Sequence, residues 1–573
     1  MKPFEKSRFP IRFFTLCLLF AAACIFAACG DSEETAPPAE CPDAGWPDDV
    51  ASDDTGGEEP DPFPSHVSRA VVGALESPGV NAWKGRVWDI TADATLADDW
   101  TLETPPSHTW GGWAASFDVV EPCDAGDSDC DPDFELRTCS SDDDCADGGT
   151  CTTLQSTVSS PGDSPRTLCA GKSHHTYEAL YDLITDAEEL VDVTSLYPPN
   201  GPFEAALRNA ITYLSHRDEP PQIRLQFGAI ILDEFDVDEV LDTLSRDLPT
   251  ADAIPIAVGT WREGFDSWNH TKIAAADGRR AIVGGMNLSA GTYLRENPVF
   301  DLSMEVSGPP ATSAQAFAEE LWRYTCNAQF VGETGVVDYN LSPASSTCPD
   351  DLVAHLPAPD ESGDVWIASL GRMGDIGINA GDLAILAALD AAQESIKLSQ
   401  QDLGPLQLGP IESMPWPNDI FDALARAMTR GVSVDIIMTT PVTNGGGSGD
   451  DLPYSNGWTE RDAINRIEER LLISDEWLPD GQTASQVLCD NLRITAIRPF
   501  QDSAWPDDSE FANHAKSFIV DDRAFYIGSH NFYPADLAEF GYLVDDEAAT
   551  QTLLDTYWTP LWQSSSPNID DAC

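Results

Sequence analysis

The sequence carries the same polar motif twice, and this duplication limits the chain to folds built from two similar halves. Each copy reads His-x-Lys, four further residues and then Asp, and the copies align without a gap at a constant offset. Several residue types recur in register: Asn269, His270, Lys272, Asp277, Arg279, Gly284 and Asn287 in the first copy, and Asn513, His514, Lys516, Asp521, Arg523, Gly528 and Asn531 in the second. Because Lys and His are scarce here, two copies in register are a far stronger signal than a single motif match.

An alternation of helices and strands precedes each copy. The first pass predicts helices over Tyr177–Ala187 and Phe203–Leu214 and strands over Glu189–Thr194 and Ile223–Ile231. The second predicts helices over Leu383–Gln393 and Ile420–Arg430 and strands over Ser395–Ser399 and Val432–Met438. This alternation predicts layered α/β domains. A long Gly-rich insertion before the second motif is expected to shape an entrance.

The motif spacing places its polar groups together. In an extended strand, residues two apart point to the same face, so His and Lys project side by side. Asp277-Gly278 and Asp521-Asp522 have the chemistry of a tight turn. We expect the return strand to bring Gly285 or Ser529, and then Asn287 or Asn531, beside each histidine to bind phosphate. Each half then offers an imidazole, an ammonium group and a neutral donor.

This set of groups suits cleavage of a phosphodiester without a metal or another cofactor. One imidazole attacks phosphorus and forms a covalent phosphoenzyme, while the other protonates the leaving alkoxide. The two Lys and two Asn stabilise charge on the non-bridging oxygens. Each His also needs a carboxylate to fix its tautomer, and Asp301 and Glu539 lie downstream of the two motifs as candidates.

These residues resemble the phospholipase D superfamily. The similarity extends to Gly284-Gly285-Met286-Asn287, Asp301, Gly308-Pro309 and Leu321-Trp322 in the first half, and to Gly528-Ser529-His530-Asn531, Glu539 and Pro560-Leu561-Trp562 in the second. It covers about 172–345 and 360–565. It implies two α/β/α sandwich halves related by pseudo-twofold symmetry, with one active site between them.

The resemblance also implies individual roles. His270 is expected to be the nucleophile and His514 the general acid, with Lys272 and Lys516 completing the catalytic motifs. Asp277 and Asp521 belong to the same motifs, but in the family they mainly support structure. The expected domains are 172–350 and 360–573.

The N-terminus has the pattern of an export signal. Basic residues precede an apolar stretch that ends in Phe26-Ala27-Ala28-Cys29, so we expect a signal peptide over 1–28. Small residues before Cys29 resemble a bacterial lipobox, which predicts lipidation of Cys29 and a cell-envelope location, periplasmic or at the cell surface. A plain signal peptide is the alternative. Residues 29–65 are acidic, without Lys or Arg, and predict a disordered stalk.

The next two segments precede the duplicated part. Residues 66–122 predict a β-rich extension, and 123–171 hold six cysteines in an Asp- and Gly-rich stretch. Since export favours disulfides, this reads as a cysteine-rich stapled module, and Cys326 with Cys348 is a further candidate pair. The acidic string from Asp124 to Asp133 has oxygen ligands that suit Ca²⁺, but it lacks a closing Glu, so a solvated loop is favoured.

The net charge of the chain restricts the class of substrate. The chain has 97 acidic and 31 basic residues and a formal net charge of −66, which repels polyanions. We therefore expect a phospholipid substrate, no nucleic acid, and a monomer. The alternatives are a phosphatidyltransferase of the cardiolipin synthase type, an exported nuclease of the same superfamily, and a non-catalytic surface module. The last is disfavoured because both motifs are intact.

Overall fold

The computed structural model describes residues 63–571 with internal gaps at 112–129, 132, 135, 146–148, 231–234, 265–266, 296, 328–337, 346–347, 349–351, 358–362, 406–414, 442–454, 475–476, 501, 503, 507 and 534. The predicted signal peptide, Cys29, nearly all of the predicted stalk and the Gly-rich tip of the insertion therefore lie outside the described residues. Within the described ranges, no helix is long and apolar enough to cross a membrane.

The helices follow the predicted alternation. In chain order they are α1 His66–Leu75, α2 His175–Thr185, α3 Pro202–Leu214, α4 Val237–Ser245, α5 Ala290–Tyr293, α6 Pro309–Asn327, α7 Ala380–Ala391, α8 Asn418–Thr429, α9 Glu460–Ile473, α10 Ala484–Asn491, α11 Glu547–Leu553 and α12 Thr559–Ser565. The predicted helices over Tyr177–Ala187, Phe203–Leu214, Leu383–Gln393 and Ile420–Arg430 correspond to α2, α3, α7 and α8.

The strands of the described residues form two large sheets and two small two-stranded sheets. In chain order they are β1 Trp88–Ala94, β2 Thr101–Thr104, β3 Cys130–Asp131, β4 Leu136–Arg137, β5 Thr150–Leu154, β6 Arg166–Ala170, β7 Leu190–Ser195, β8 Gln222–Gly228, β9 Ile256–Glu263, β10 Ser267–Trp268, β11 Ile273–Ala276, β12 Arg280–Gly284, β13 Asp301–Ser307, β14 Tyr339–Leu341, β15 Val365–Met373, β16 Ser395–Gln400, β17 Ser433–Met438, β18 Leu492–Ala496, β19 Lys516–Val520, β20 Ala524–Gly528, β21 Ala538–Asp545 and β22 Asp570–Asp571.

Two large sheets, one for each half, form the body of the described chain. The first has the order β10-β9-β8-β7-β11-β12-β13-β2, with β14 beside β9, and the second has the order β1-β15-β21-β20-β19-β16-β17-β18-β22. β7, β8 and β9 are parallel, as are β16, β17 and β18, while the motif strands β11 and β19 run antiparallel to their neighbours. The mixed α/β fold with two repeated halves is confirmed.

Alternation along the motif strand gives each face of the first sheet its own core. Ala274 and Ala276 pack with the side chains of α2, α3 and α4. Ile273 and Ala275 face the opposite way and join the cluster that contains residues of α6. Successive side chains of a strand point to opposite faces, so the short apolar run after the motif serves both layers. The sheet is therefore covered on both sides.

Helix α6 joins the two halves. It contacts β9 and β11 of the first sheet and also β1 and β15 of the second. Phe317 of α6 packs against Phe540 of β21, with ring centroids 5.2 Å apart. One buried apolar cluster therefore contains residues from both halves, and this shared core fixes how their sheets meet.

The segment before the cysteine-rich module is part of both sheets. β1 pairs antiparallel with β15 of the second half, and β2 pairs antiparallel with β13 of the first. α1 packs on α7. The sequence predicted a β-rich extension here. The described part of it instead has the single helix α1 and two edge strands, β1 in the second sheet and β2 in the first. This segment therefore contributes to both halves.

Disulfides staple the cysteine-rich module as predicted. Cys139 bonds to Cys151 and Cys145 bonds to Cys169, and the further predicted pair Cys326–Cys348 is confirmed. Of the acidic string proposed as a Ca²⁺ alternative, the described Asp131 and Asp133 form ion pairs with arginines. The remaining acidic residues of that string lie outside the described residues.

The motif aspartates are anchor points for the chain. Asp277 has a φ of 54°, and its carboxylate accepts hydrogen bonds of 2.7, 2.8 and 2.8 Å from the backbone N–H groups of Glu188, Glu189 and Leu190. Asp521, also at φ 54°, accepts from Gln393, Glu394 and Ser395 in the same way. Each carboxylate ties the motif hairpin to the start of the neighbouring strand, on the order of 15 Å along the strand from the motif lysine.

Replacing Asp277 by Asn should destabilise the protein without removing its chemistry. The amide group presents one N–H donor toward backbone N–H groups, so we expect a loss of about 2 kcal/mol of stability and a lower melting temperature. Asp522→Asn is the matched control, because Asp522 is half exposed beside Lys397. Complete loss of turnover at an unchanged melting temperature would contradict the structural role.

Candidate active site

The two motif histidines lie where the halves meet. The backbone N–H of His270 donates to the carbonyl of Ala538 at 2.9 Å, and that of His514 donates to the carbonyl of Phe300 at 2.7 Å. Each half therefore hydrogen-bonds its motif to the first residues of the other half's carboxylate-bearing strand. Both side chains are buried, so this pairing positions the two imidazoles in one interior site.

The candidate carboxylates pair with the histidines across the halves. Glu539 lies against Nδ1 of His270, with oxygens at 3.0 and 3.1 Å. Asp301 lies against Nδ1 of His514 at 2.7 Å. A carboxylate on Nδ1 fixes the tautomer that leaves Nε2 available for chemistry. The sequence identified both carboxylates but did not determine which histidine each one serves.

The recurring motif asparagines Asn269 and Asn513 support the backbone. The Asn269 amide donates to the carbonyl of Gln226 at 3.1 Å, while its oxygen accepts from the N–H of Thr271 at 3.0 Å. The Asn513 amide donates to the carbonyl of Gln400 at 3.1 Å. These bonds connect the start of each motif to the ends of the parallel strands, so Asn269 and Asn513 position the histidines that follow them.

Both motif lysines are buried, and each donates to the backbone carbonyl of the histidine in the same motif. Lys272 Nζ donates to the carbonyl of His270 at 2.7 Å, and Lys516 Nζ donates to the carbonyl of His514 and to Gln401 Oε1. An ammonium group has three donors, so further N–H groups on each lysine remain for a ligand. Burial lowers the pKa of Lys272 to about 8 and that of Lys516 to about 7.

Asn287 and Asn531 are buried in the site with unused hydrogen-bonding capacity. The Oδ1 atom of each has no hydrogen-bond partner among the described residues. Asn531 Nδ2 donates to the hydroxyl of Tyr533 at 2.7 Å. Because the oxygen and nitrogen of an amide are assigned from hydrogen bonding, each asparagine has one open polar end. Both therefore fit the predicted role of contacting a ligand.

Gly285 and Ser529 have different roles from the phosphate contacts predicted for them. The N–H of Gly285 donates to the carbonyl of Leu302 at 3.0 Å, and a Cβ there would lie 2.1 Å from Asp301 Oδ1. Ser529 donates its N–H to Phe540 at 3.0 Å and its hydroxyl to Glu539 Oε2 at 2.5 Å. Their donors are thus used within the protein. Gly285 leaves room for the carboxylate of Asp301, and Ser529 orients the carboxylate of Glu539.

Two residues that sequence reasoning missed support the carboxylates. Tyr293 donates its hydroxyl to Asp301 Oδ2 at 2.7 Å, and Arg372 reaches Glu539 Oε1 at 3.4 Å. Tyr293 is fully buried. In the sequence it looks like an ordinary aromatic core residue. Arg372 comes from β15, outside both motifs. A polar residue inside a strand otherwise buried along its length is the signal that could have identified it.

The electrostatic environments of the two halves differ. Burial raises the pKa of Asp301 to about 6. Burial acts in the same direction on Glu539, but the adjacent His270 and Arg372 outweigh it and lower the pKa of Glu539 to about 2. Burial lowers the pKa of His270 to about 4 and that of His514 well below its ordinary value. Near neutral pH a neutral His270 is thus paired with an anionic Glu539.

Comparison with known proteins identifies the family. Phospholipase D of Streptomyces antibioticus is 30% identical over 435 residues, which cover 67% of this chain and 75% of that protein. The chain therefore belongs to the phospholipase D family of enzymes. No protein-family model matches the chain.

Solved structures that are similar to the chain include two bacterial proteins. Phosphatidylserine synthase of Haemophilus influenzae is 14% identical with a TM-score of 0.44, over 74% of this chain and 89% of that one. Nuc, a phospholipase D family member of Salmonella typhimurium, is 19% identical with a TM-score of 0.22, over 35% of this chain and 96% of its own.

Activity should fall as pH rises through about 7 to 8. A lysine whose pKa is lowered is charged below that pKa and neutral above it, so the site loses its cations in this range. The measurement is kcat/KM against pH with a p-nitrophenyl phosphodiester, whose leaving group needs no proton from His514. Lys397→Gln, which removes a lysine paired with Asp522 on the second sheet, should not change the profile. A wild-type profile that stays flat to pH 9 would contradict this role of the lysines.

Proposed function

We propose that the protein is a phosphodiesterase that acts on phospholipids through a phosphohistidine at His270. The observation that supports this most is the exchange of carboxylates between the halves, which places one carboxylate against Nδ1 of each imidazole. A single histidine with its carboxylate suits one proton transfer, but two opposed pairs suit a two-step displacement. Each half supplies one of the two imidazoles that such a reaction requires.

In the first step, neutral His270 attacks phosphorus through Nε2 while its Nδ1–H donates to anionic Glu539. The P–N bond forms and the bond from phosphorus to the headgroup oxygen breaks. Protonated His514 gives its proton to the leaving alkoxide. Burial disfavours protonation of His514, and the negative phosphate of a bound substrate favours it.

In the second step, His514 reverses its role. The now neutral imidazole takes a proton from water or from an alcohol, whose oxygen attacks phosphorus. The P–N bond breaks, and His270 returns to its neutral form with phosphatidic acid or a new phospholipid as product. Hydrolysis and phosphatidyl transfer thus differ only in the attacking oxygen, so the cardiolipin synthase type of reaction uses the same residues.

The lysines and asparagines would stabilise the transition state. Lys272 spends one donor on the carbonyl of His270, and Lys516 spends two, on the carbonyl of His514 and on Gln401. Two donors of Lys272 and one of Lys516 are left for the non-bridging oxygens. Asn287 and Asn531 bring their open amide ends. Charge stabilisation by fixed donors in a buried site is worth more than the same contacts in water.

Charge favours a lipid over a nucleic acid as substrate. The formal net charge of −66 opposes binding of a polyanion, which is held by several Lys or Arg on one face. Two of the few lysines are buried beside the motif histidines. A phospholipid presents one phosphate, and a zwitterionic headgroup adds a cation that an acidic rim attracts. The names of the phospholipase D and the phosphatidylserine synthase above agree with this class of substrate.

Location and anchoring remain predictions. A lipid on Cys29 would hold the enzyme at a membrane in the cell envelope and raise the local concentration of substrate. That residue and the stalk lie outside the described residues. We expect a monomer, since both halves of the site come from one chain.

The test is a product assay with the purified protein. We expect headgroup release from phosphatidylcholine or phosphatidylethanolamine, and a phosphatidyl alcohol when a primary alcohol is added. Plasmid DNA should stay intact under the same conditions. His270→Asn is the control for contaminating activity. Cleavage of DNA at both low and moderate salt without lipid turnover would overturn the lipid assignment.

A further inference from the structure

Arg372 on β15 lies directly opposite Glu539 on β21 in the second sheet. Its side chain is 8% exposed, and its guanidinium reaches Glu539 Oε1 at 3.4 Å and Asp382 Oδ1 at 2.9 Å. It also donates to the carbonyls of Leu537 at 2.9 Å and Ala535 at 3.0 Å. A buried arginine with this many partners has one preferred geometry, so it helps to hold the Glu539 carboxylate in place.

The equivalent position in the first sheet is occupied by a neutral residue. Asp301 on β13 faces Thr104 on β2, just as Glu539 faces Arg372. The Thr104 hydroxyl is buried and has no hydrogen-bond partner among the described residues. Directly opposed residues of an antiparallel pair point to the same face. The two catalytic carboxylates therefore occupy equivalent places but have different neighbours across the strand.

This difference acts on the charge of the carboxylates. The charged or titratable groups that face Glu539 or lie behind Arg372 come from several elements: His270, Lys272, His514, Lys516, Tyr526, His530, Arg372, Asp382 and Asp536. His270 and Arg372 have the largest pKa-lowering effects on Glu539. Asp382 compensates the charge of Arg372, so the guanidinium stabilises Glu539 without placing an unpaired cation beside the reacting imidazole.

We propose that Arg372 is a positioning residue that keeps Glu539 anionic against His270, and that the pairing of Arg372 with Glu539 and of Thr104 with Asp301 makes His270 the attacking histidine. This proposal rests on the proposed function. An anionic partner on Nδ1 increases the nucleophilicity of Nε2 and stabilises the positive charge that the imidazole gains as the P–N bond forms. Asp301 has two neutral neighbours, Tyr293, which donates to it, and Thr104, which lies opposite it. This environment leaves His514 better suited to exchange protons.

Two substitutions separate the charge of Arg372 from its hydrogen bonds. Arg372→Gln keeps donors for the backbone carbonyls but removes the cation, while Arg372→Lys keeps the cation but loses the planar fork. Without the cation the pKa of Glu539 rises, so the acid limb of kcat/KM should move to higher pH by about one unit or more. We expect kcat of Arg372→Gln to fall about 10- to 100-fold, and Arg372→Lys to keep the wild-type limb.

Three controls exclude a merely structural effect. Thr104→Val changes the equivalent position beside Asp301 and should leave the acid limb unmoved. In the Glu539→Gln background, Arg372→Gln should add no further change in the pH profile, because the group through which it acts is already neutral. Circular dichroism and the melting temperature of each variant show whether it is folded.

The results for the Arg372 variants decide between a positioning role and a merely structural role. A kcat that falls equally at every pH in Arg372→Gln, with the acid limb unmoved, overturns the proposal and leaves phosphodiesterase function in place. If Arg372→Gln does not fold, Arg372→Lys decides, and a limb displaced by one unit in that variant overturns the proposal. Failure of the wild-type protein to cleave any phosphodiester overturns the proposed function and this inference together.

Discussion

The structure depends on the reciprocal contact between its halves, in which each motif histidine receives its carboxylate from the other half. His270 is bonded to Glu539 and His514 to Asp301, and the backbone bonds to Ala538 and Phe300 bring these groups together. Buried charges and imidazoles are expensive unless they are paired. Neither half could bury its own motif without leaving such groups unsatisfied, so chemistry and assembly of the halves are coupled.

Other features of the fold serve this contact. Helix α6 packs between the sheets, and β1 and β2 add an edge strand to each, so the halves cannot shift independently. The motif aspartates fix the far ends of the motif strands through backbone N–H groups. These anchors stabilise the two hairpins whose first strands follow the motif histidines. The site is therefore preorganised by groups that never touch a substrate.

The sequence predicted most of the site because the groups share a strand period. His270 and Lys272 are two residues apart, and their copies repeat in register, so their placement follows from strand geometry. The cross-pairing of Asp301 and Glu539 depends on how two sheets face each other, which local pattern does not specify. Tyr293 was missed for the same reason, since its role follows from its contact with Asp301. Arg372 had only the weak signal of a polar residue inside an otherwise apolar strand, and its contact with Glu539 is visible only in the structure. Residues 66–122 were predicted to form a β-rich extension because strands that complete another sheet look like any other strands in the sequence.

The central proposal is that a single site uses His270 to attack phosphorus. The most direct measurement is rapid quenching of the wild-type enzyme during turnover of an activated phosphodiester, followed by peptide mapping of the trapped adduct. The expected result is a phosphorus–nitrogen adduct on His270. An adduct on His514, or on a residue outside the two motifs, would contradict it.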